Sequence, residues 1–317
     1  IFDGMSSTVF LKDLKNILEG TQPNDIDTSF LQSSAYSYEI KNTDLYRKAS
    51  IFFEKEFCDS ENLTEPIPDI GDNTPSYNLL NLNTNKEKID SFIKKHKITR
   101  GVLHTSVFAY MLSRFTNSNK SYFSMIENGR DRHEAGDSIG MFVNTLPIII
   151  DCADTSISSF IDSVQNKIYK TTKYNFYPYR LLANKFNIKN NIDFQYQPNA
   201  MLDYSNTETN ENGFLFSEDI KTRTDLISDL SFVATDSTLS VTSSSKYSSV
   251  TTKRMLETCK RVLDDLLVKN NLSDINYTIN SDLKLIQDIN KTEKELKYSD
   301  ILEAFNESFK EINKRNG

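Results

Sequence analysis

The sequence predicts a mixed α/β fold, and three observations lead to that class. Short segments with strand-like hydrophobic alternation are interspersed with longer segments in which apolar residues recur at helical spacing. The chain has 317 residues, more than the roughly 100 to 200 of a usual domain, so we expect one large two-lobed domain or two smaller ones. Hydrophobic residues at 38% and charged residues at 26% are typical of a globular protein with a sizeable core.

The first 75 residues predict two helices and a boundary. After an apolar pair that suits a strand, Ser6 and Ser7 can cap a helix whose apolar side chains recur at residues 9–18. A second helix is predicted at residues 42–57. The stretch 65–75 is rich in proline and acidic residues, which neither a helix nor a strand tolerates well, so we place a boundary between two lobes there.

Strands and helices then alternate as far as residue 268. Thr99 is a good N-cap for the strongly apolar helix that follows it, and Asp236-Ser237-Thr238 separates two strands as the turn of a hairpin would. Residues 282–317 are polar and are interpreted as a linker or the start of another domain. In chain order, the predicted elements are a strand at 77–82, helices at 85–95 and 99–115, strands at 121–126 and 145–151, a helix at 156–169, strands at 192–197, 230–235 and 239–244, and a helix at 250–268.

Composition argues against several classes of protein. The net charge of −7 would repel a phosphate backbone, which argues against nucleic-acid binding. No apolar run approaches the roughly 18 residues that a membrane span needs, and residues 1–10 lack the pattern of a secretion signal. The three cysteines are odd in number and far apart, which fits neither a disulfide framework nor a metal site and predicts a reducing, cytoplasmic location.

Two motifs carry the functional argument. Taken alone, Asp3-Gly4 after two apolar residues is a common pattern that a turn between a strand and a helix explains. The second motif comprises Gly129-Arg130 and residues 139–147, which read Ile-Gly-Met-Phe-Val-Asn-Thr-Leu-Pro. It closely resembles the segment that follows the sheet in condensation domains of nonribosomal peptide synthetases. In that family the signature His-His-x-x-x-Asp-Gly precedes this segment, and residues 1–6 match the second half of the signature.

The resemblance spans nearly the whole chain. Residues 99–115 are similar to the family's helix before the strand at 122–126, and residues 229–232 are similar to its late strand. Residues 283–309 resemble the linker that joins a condensation domain to an adenylation domain. Two blocks depart from the family, which weakens the assignment of a subtype. Residues 36–39 match its aromatic motif only loosely, and its late Arg-Asp-x-Ser pattern is degraded at residues 223–229.

The resemblance implies a fold, a reaction and partners. The fold is that of chloramphenicol-acetyltransferase-like acyltransferases, in which two α/β lobes form a V with a tunnel between them. Residues 1–75 would be the end of the N-terminal lobe, residues 76–281 the C-terminal lobe and residues 282–317 the linker toward an adenylation domain. The implied reaction joins an acyl or peptidyl thioester donor to an aminoacyl thioester acceptor through an amide bond. Both substrates ride on phosphopantetheine arms of upstream and downstream peptidyl carrier proteins, and no cofactor is bound directly.

Five residues become candidates for the site. Asp3 and Gly4 belong to the catalytic signature. In the family this aspartate is chiefly structural and forms a salt bridge to an arginine of the first lobe, which we expect upstream of this chain. Gly4 would allow a tight turn and the close approach of substrate, with a plain turn glycine as the alternative. Arg130, Asn144 and Thr145 are expected to line the substrate channel or to serve the structure, the last two by hydrogen bonds at the seam between the lobes.

None of the three histidines is expected to replace the family's base. His96 lies among lysines at a helix end and is predicted to be at the surface, whereas His104, among apolar residues of a helix, is predicted to be a buried, hydrogen-bonded core residue. His133 lies in a charged loop that is more often solvated than catalytic. The resemblance places the two signature histidines just ahead of Ile1, so this chain is expected to be cut within the signature and inactive alone.

Three alternatives stay open. An epimerisation domain shares the signature and the fold, although residues 141–147 favour condensation. A heterocyclisation domain ranks lower, since Asp3-Gly4-Met5-Ser6 is less usual there. The third alternative is a non-catalytic domain that only recruits carrier proteins or a tailoring enzyme.

Overall fold

The computed structural model describes residues 3–21, 27–58, 63–69, 74–82, 86–130, 135–198, 228–292, 298 and 300–315. The chain forms two compact units, Ile1–Tyr277 and Thr278–Gly317. In chain order the elements of the first unit are α1 (Gly4–Leu18), α2 (Ser29–Glu39), α3 (Asp44–Phe57), β1 (Ser76–Asn81), α4 (Lys86–His96), α5 (Arg100–Phe115), β2 (Lys120–Glu127), β3 (Asn144–Asp151), α6 (Ile157–Thr172), α7 (Tyr179–Phe186), β4 (Ile192–Tyr196), β5 (Leu230–Ala234), β6 (Thr238–Ser243) and α8 (Ser249–Leu266). The second unit contains α9 (Asn280–Ile289) and α10 (Ile301–Arg315).

The six described strands form one mixed sheet in the order β1-β6-β5-β4-β2-β3. The pairs β1–β6, β5–β6 and β2–β3 are antiparallel, whereas β4 is parallel to both of its neighbours, β2 and β5. The carboxyl ends of β2, β4 and β5 therefore lie at the same edge of the sheet. In open α/β sheets that edge is where functional loops collect, and the segment that follows β2 begins there.

One face of the sheet carries the main core. Helix α5 is buried along most of its length, and the ring of its Phe108 lies 4.9 Å from Phe123 of β2 and 4.7 Å from Phe194 of β4, measured between centroids. Leu230, Phe232 and Ala234 of β5 all belong to this cluster because alternate residues of a strand point to one face. Helices α6 and α8 complete the same layer. Because β2 packs into this core, its position is fixed, and so is the point from which the following segment starts.

A second, smaller cluster covers part of the opposite face. It forms where Phe53 and Phe57 of α3 pack with Tyr122 of β2 and Leu182 of α7. The Phe57 and Tyr122 rings meet edge to face, with centroids 6.1 Å apart. Helix α3 is thereby packed against the sheet.

The mixed α/β class is confirmed, the elements predicted from β1 to α8 are found in the predicted order with α7 as an addition, and Thr99 caps α5 as predicted. The prediction for the cap of the first helix is wrong. Helix α1 begins at Gly4, and its N-cap is Asp3, whose carboxylate accepts a hydrogen bond from Ser6 N–H. An aspartate at this position satisfies a free amide and places negative charge at the positive end of the helix. The strand predicted ahead of α1 lies outside the described residues.

Helices α2 and α7 are not predicted by the sequence. None of the residues of α2 is buried, so it lacks the apolar stripe on which a helix prediction depends. Helix α7 is eight residues long and buries one, Leu182. None of the described helices combines the length and the apolar character that crossing a membrane requires.

Candidate functional site

Asp3 lies at the centre of a buried hydrogen-bond network at the start of α1. Its Oδ1 accepts hydrogen bonds from Ser6 N–H at 2.8 Å and from Nη2 of Arg130 at 2.6 Å. Its Oδ2 accepts one from Phe142 N–H at 3.1 Å. Both carboxylate oxygens are thus engaged, one by the first turn of α1 and by Arg130, the other by Phe142, so a segment far along the chain converges on this side chain.

The guanidinium of Arg130 supplies the positive charge of this network. Its Nη1 donates to the carbonyl oxygens of Ala135 at 2.8 Å and Ser138 at 2.6 Å, so one side chain closes the loop that follows β2. The guanidinium carbon lies 4.5 Å from the centre of the Phe142 ring, within range of a cation–π contact. Arg130 is therefore held through both terminal nitrogens, while its Nε has no partner among the described residues, and such a fixed side chain is typical of a positioning residue.

The structure corrects one expectation about Asp3. The arginine that pairs with it was expected upstream of this chain, but it is Arg130, 127 residues downstream, and both side chains are 1% exposed. The sequence contains no sign of this pairing because the two residues are far apart and Arg130 opens a charged stretch that suits a solvated loop. The fold brings them together by ending β2 beside the start of α1.

Ser6 is a member of the network that sequence reasoning missed. Its hydroxyl lies 2.8 Å from both Asp3 Oδ1 and the carbonyl oxygen of Gly140, and it accepts hydrogen bonds from Gly140 N–H at 2.9 Å and from Arg130 at 3.0 Å. The side chain is completely buried. The available signal was a small residue three positions after an aspartate, which we assigned to helix capping alone.

Burial and hydrogen bonding act on the Asp3 carboxyl in opposite directions. Burial raises its pKa, but hydrogen bonds from Arg130, Ser6 and Phe142 N–H outweigh burial, so the pKa lies below its usual value. At neutral pH the pair is ionised, and a buried ion pair of this kind is costly to break.

Two glycines let the loop pack this closely. Gly129 has φ +20°, and a Cβ on it would overlap the carbonyl oxygen of Phe142. A Cβ on Gly140 would overlap the ring of Phe30 in α2. The Phe30 ring in turn meets the Phe142 ring edge to face, with centroids 5.4 Å apart. Helix α2 therefore packs against Gly140 and Phe142, the same segment that Arg130 contacts.

The turn explanation for Gly4 is wrong. Gly4 is the first residue of α1, it is exposed, its φ is not positive, and a Cβ on it would meet nothing within 4 Å. Asn144 and Thr145 are the first residues of β3 and face Glu127 and Ile126 of β2 in the antiparallel ladder. Neither side chain makes a hydrogen bond with a residue that the structure describes, so the predicted seam contacts are not found there.

A polar pocket lies beside the network, between α2 and the start of β3. Its volume is about 90 Å³, and Phe142 is common to the pocket and the network. Hydroxyl and amide groups line it together with aromatic side chains. The polar lining residues are Ser33, Tyr36, Ser37, Asn144 and Asn175.

The histidines are distributed as follows. His96 ends α4 and is partly buried against Phe92, with ring centroids 4.3 Å apart, and burial lowers its pKa. His104 is buried as predicted, but the predicted hydrogen bonds are absent, since neither ring nitrogen has a partner among the described residues. It stacks on Tyr196 at 5.3 Å, and burial lowers its pKa to about 4. His133 lies outside the described residues.

Comparison with known proteins gives a consistent picture. Residues 1–285 match the family model described as Condensation domain. Tyrocidine synthase 3 of Brevibacillus parabrevis is 22% identical over 199 residues, 61% of this chain and 3% of that protein. A nonribosomal peptide synthetase of Cordyceps militaris, cm3A, is 28% identical over 185 residues, 53% of this chain and 4% of that protein. The chain thus matches only a few per cent of the length of these relatives.

Solved structures share the fold. The four-domain nonribosomal peptide synthetase holo-AB3403, solved with AMP and glycine, superposes with a TM-score of 0.72 at 15% identity. The match covers 88% of this chain and 24% of that one. At this identity a superposition shows the fold alone, and it is the chloramphenicol-acetyltransferase-like fold that the sequence predicts.

Proposed function

Because this chain belongs to the condensation-domain family, we propose that it joins two carrier-bound substrates through an amide bond within a nonribosomal peptide synthetase or related hybrid synthetase. The donor is an acyl or peptidyl thioester, and the acceptor is an aminoacyl thioester. The acceptor amine attacks the donor carbonyl, the carbon–sulfur bond breaks, and the amine's proton leaves while the donor thiolate takes one up. The observation that carries the proposal is the buried network of Asp3, Ser6 and Arg130.

The network indicates which residue of the signature has a structural role and which accepts the proton. A base for this reaction needs a free lone pair near the amine and a pKa close to the working pH. Asp3 has neither, because both of its oxygens accept hydrogen bonds and its pKa is lowered. Its role is to fix the start of α1 against the loop after β2. The proton acceptor is a histidine of the signature, which the resemblance places ahead of Ile1.

The other candidate residues receive roles on the same basis. Arg130 is a positioning residue, since its hydrogen bonds go to Asp3, Ser6 and backbone carbonyls. Gly4 is exposed beside the network, where a side chain would enter open space that we assign to the substrate channel. Asn144 and Thr145 lie at the channel-facing end of β3.

The organisation of the parent protein follows from the family. We assign residues 1–75 to the end of the N-terminal lobe, residues 76–281 to the C-terminal lobe and residues 282–317 to the linker toward an adenylation domain. The partners are the upstream and downstream peptidyl carrier proteins and that adenylation domain. Substrates arrive on phosphopantetheine arms, no cofactor is bound directly, and the protein works in the cytoplasm.

The test is a condensation assay with the full-length parent protein. Upstream and downstream carrier proteins are loaded with acyl and aminoacyl groups, and the acceptor carrier is analysed by mass spectrometry for an amide product. We expect the product with the parent protein and none with residues 1–317 alone. The matched control is the parent protein with the second signature histidine replaced by alanine, which should form no product.

Other outcomes would identify a different type of domain with the same fold. Exchange of the acceptor's α-hydrogen with solvent without a new amide would identify an epimerisation domain, and loss of water from the product would identify a heterocyclisation domain. Binding of loaded carriers without any reaction would identify a recruiting domain. Each of these results contradicts the proposal.

A further inference from the structure

We propose that the polar pocket between α2 and β3 holds an uncharged hydrogen-bonding group, a carboxamide or hydroxyl, from the side chain of a substrate amino acid. This inference rests on the proposed amide-forming function and deepens it by naming a substrate class. Four properties of the pocket support it: position, size, chemistry and rigidity.

The pocket's position ties it to the reaction centre. The backbone N–H of Phe142 donates to Asp3, and the same residue forms a wall of the pocket. A group bound in the pocket would therefore contact Phe142, which is itself hydrogen-bonded to Asp3 of the catalytic signature. Nothing in the proposed mechanism otherwise uses this space.

The pocket's size selects a part of a substrate and not the whole. Sites that enclose a complete small molecule have volumes of about 300 to 1,000 Å³. At about 90 Å³ this pocket has room for the equivalent of about three waters, or for the head group of a side chain. A carboxamide or a hydroxyl with its carbon fits that space.

The lining selects a polar but uncharged guest. In the described part of the chain the pocket is lined by hydroxyl, amide and aromatic groups and by the thioether of Met141, and by no charged side chain. The Asn144 amide and the Ser33 hydroxyl make no side-chain hydrogen bond with a described residue, so they offer donors and acceptors to a guest. A charged guest would lose hydration there without gaining a counter-ion.

Two further polar groups of the lining are already fixed, which makes this part of the pocket preformed. The Asn175 amide donates to Glu127 at 3.0 Å, and the Ser37 hydroxyl donates to the carbonyl oxygen of Ser33 at 2.9 Å. The backbone segments at Gly129 and Phe142 also pack closely, because a side chain at Gly129 would overlap the Phe142 carbonyl oxygen. A preformed site with unpaired polar groups discriminates against apolar guests of the same shape.

The experiment compares matched pairs of amino acids in the full-length parent protein. The acceptor carrier is loaded with Asn or Leu, Gln or Met, Thr or Val, and with Asp, while the donor is held constant. A second arm varies the last residue of the donor in the same way. We expect kcat/KM to favour Asn, Gln or Thr over its apolar partner and over Asp by about tenfold in one arm, as for a lost hydrogen bond.

Two variants test the assignment to this pocket. Asn144→Leu and Ser33→Ala should each reduce the preference for the polar member of a pair. Ser34→Ala is the control, because Ser34 is exposed on α2, does not line the pocket and bonds the carbonyl oxygen of Phe30. It should leave the preference unchanged. Circular dichroism of each variant checks that it is folded.

Three outcomes would overturn the inference, and they are distinguishable. Amide product without a preference in either arm leaves the proposed function intact and removes the pocket's role. An equal loss for all pairs in Asn144→Leu would mean that the pocket serves the common phosphopantetheine arm or the fold. Absence of amide product with every pair would remove the proposed function, and this inference with it.

Discussion

Arg130 and His104 are buried to the same extent, each with 2% of its surface exposed, yet they differ in how many hydrogen bonds they make. Arg130 donates to five oxygen atoms of its neighbours and faces a carboxylate. His104 has no hydrogen-bond partner for either nitrogen among the described residues and stacks on the ring of Tyr196. Burial alone therefore says little about a polar side chain, and its partners decide whether it holds the structure together or weakens it.

The largest expected effect comes from breaking the buried ion pair. Asp3→Ala leaves Arg130 charged and unpaired in the interior, which should lower the free energy of unfolding by about 3 to 5 kcal/mol. Urea denaturation measures the loss, and we expect damage to folding or loop geometry to exceed damage to chemistry in the full-length protein. Wild-type stability with a selective loss of rate would contradict the structural role.

His104 should contribute the next largest effect, and it depends on pH. Its pKa is about 4 in the folded protein against 6.5 for an unperturbed histidine, so between these values only the unfolded chain takes up the proton. Stability should fall by about 3 kcal/mol as the pH drops from about 6.5 to about 4. Asp3 acts in a different window, because its lowered pKa makes its contribution disappear only at still lower pH.

His104→Leu checks this assignment. The variant should lose most of the pH dependence between about 4 and 6.5 and should be more stable than the native chain at pH 5, since no proton uptake favours its unfolded state. His96→Gln is the matched control and should remove less of the pH dependence, because His96 is only partly buried although burial lowers its pKa too. Unchanged pH dependence in His104→Leu would mean that His104 has a polar partner in solution.

A smaller effect is expected at the glycine that seats α2. Gly140→Ala places a methyl group where the Phe30 ring lies and should cost about 1 to 3 kcal/mol through overpacking. Phe30→Leu in the same chain should recover part of that loss by making room. Thermal denaturation of the single and double variants measures both, and additive losses would show that the two residues do not meet.

The smallest effect is expected at an exposed ion pair of the same region. Lys12 lies 3.2 Å from Asp137, with both side chains mostly exposed. Lys12→Ala should change the free energy of unfolding by less than about 1 kcal/mol, because water and salt screen such pairs. A loss as large as that of Asp3→Ala, measured under the same conditions, would contradict the contrast between the buried and the exposed pair.

Sequence reasoning recovers the sheet layer well because its residues follow regular patterns. The alternation in β5 and the apolar length of α5 are local properties, and each predicts its element directly. Helix α2 escapes because it buries no residue, and its contacts with the segment around Gly140 come from single side chains such as Phe30, which meets Gly140 and Phe142. The candidate site is recovered as motifs only.

The sequence does not show which residues of the two motifs contact each other. Asp3, Arg130 and the segment around Gly140 are each singled out by resemblance, but nothing in the sequence pairs Asp3 with Arg130, and Ser6, which joins them, looks like a helix cap. Long-range hydrogen bonds between single side chains leave no periodic trace in a sequence. The fold has to be known before such partners can be paired.

The Asp3–Arg130 contact also closes a loop of 127 residues. Closing so long a loop costs chain entropy, and the contact can form only once the sheet has set the position of Arg130. We infer that α1 docks late in folding, after β2 and β3 have paired. A chain that has folded only its sheet has no ordered signature, so the chemistry proposed here belongs to the completely folded protein alone.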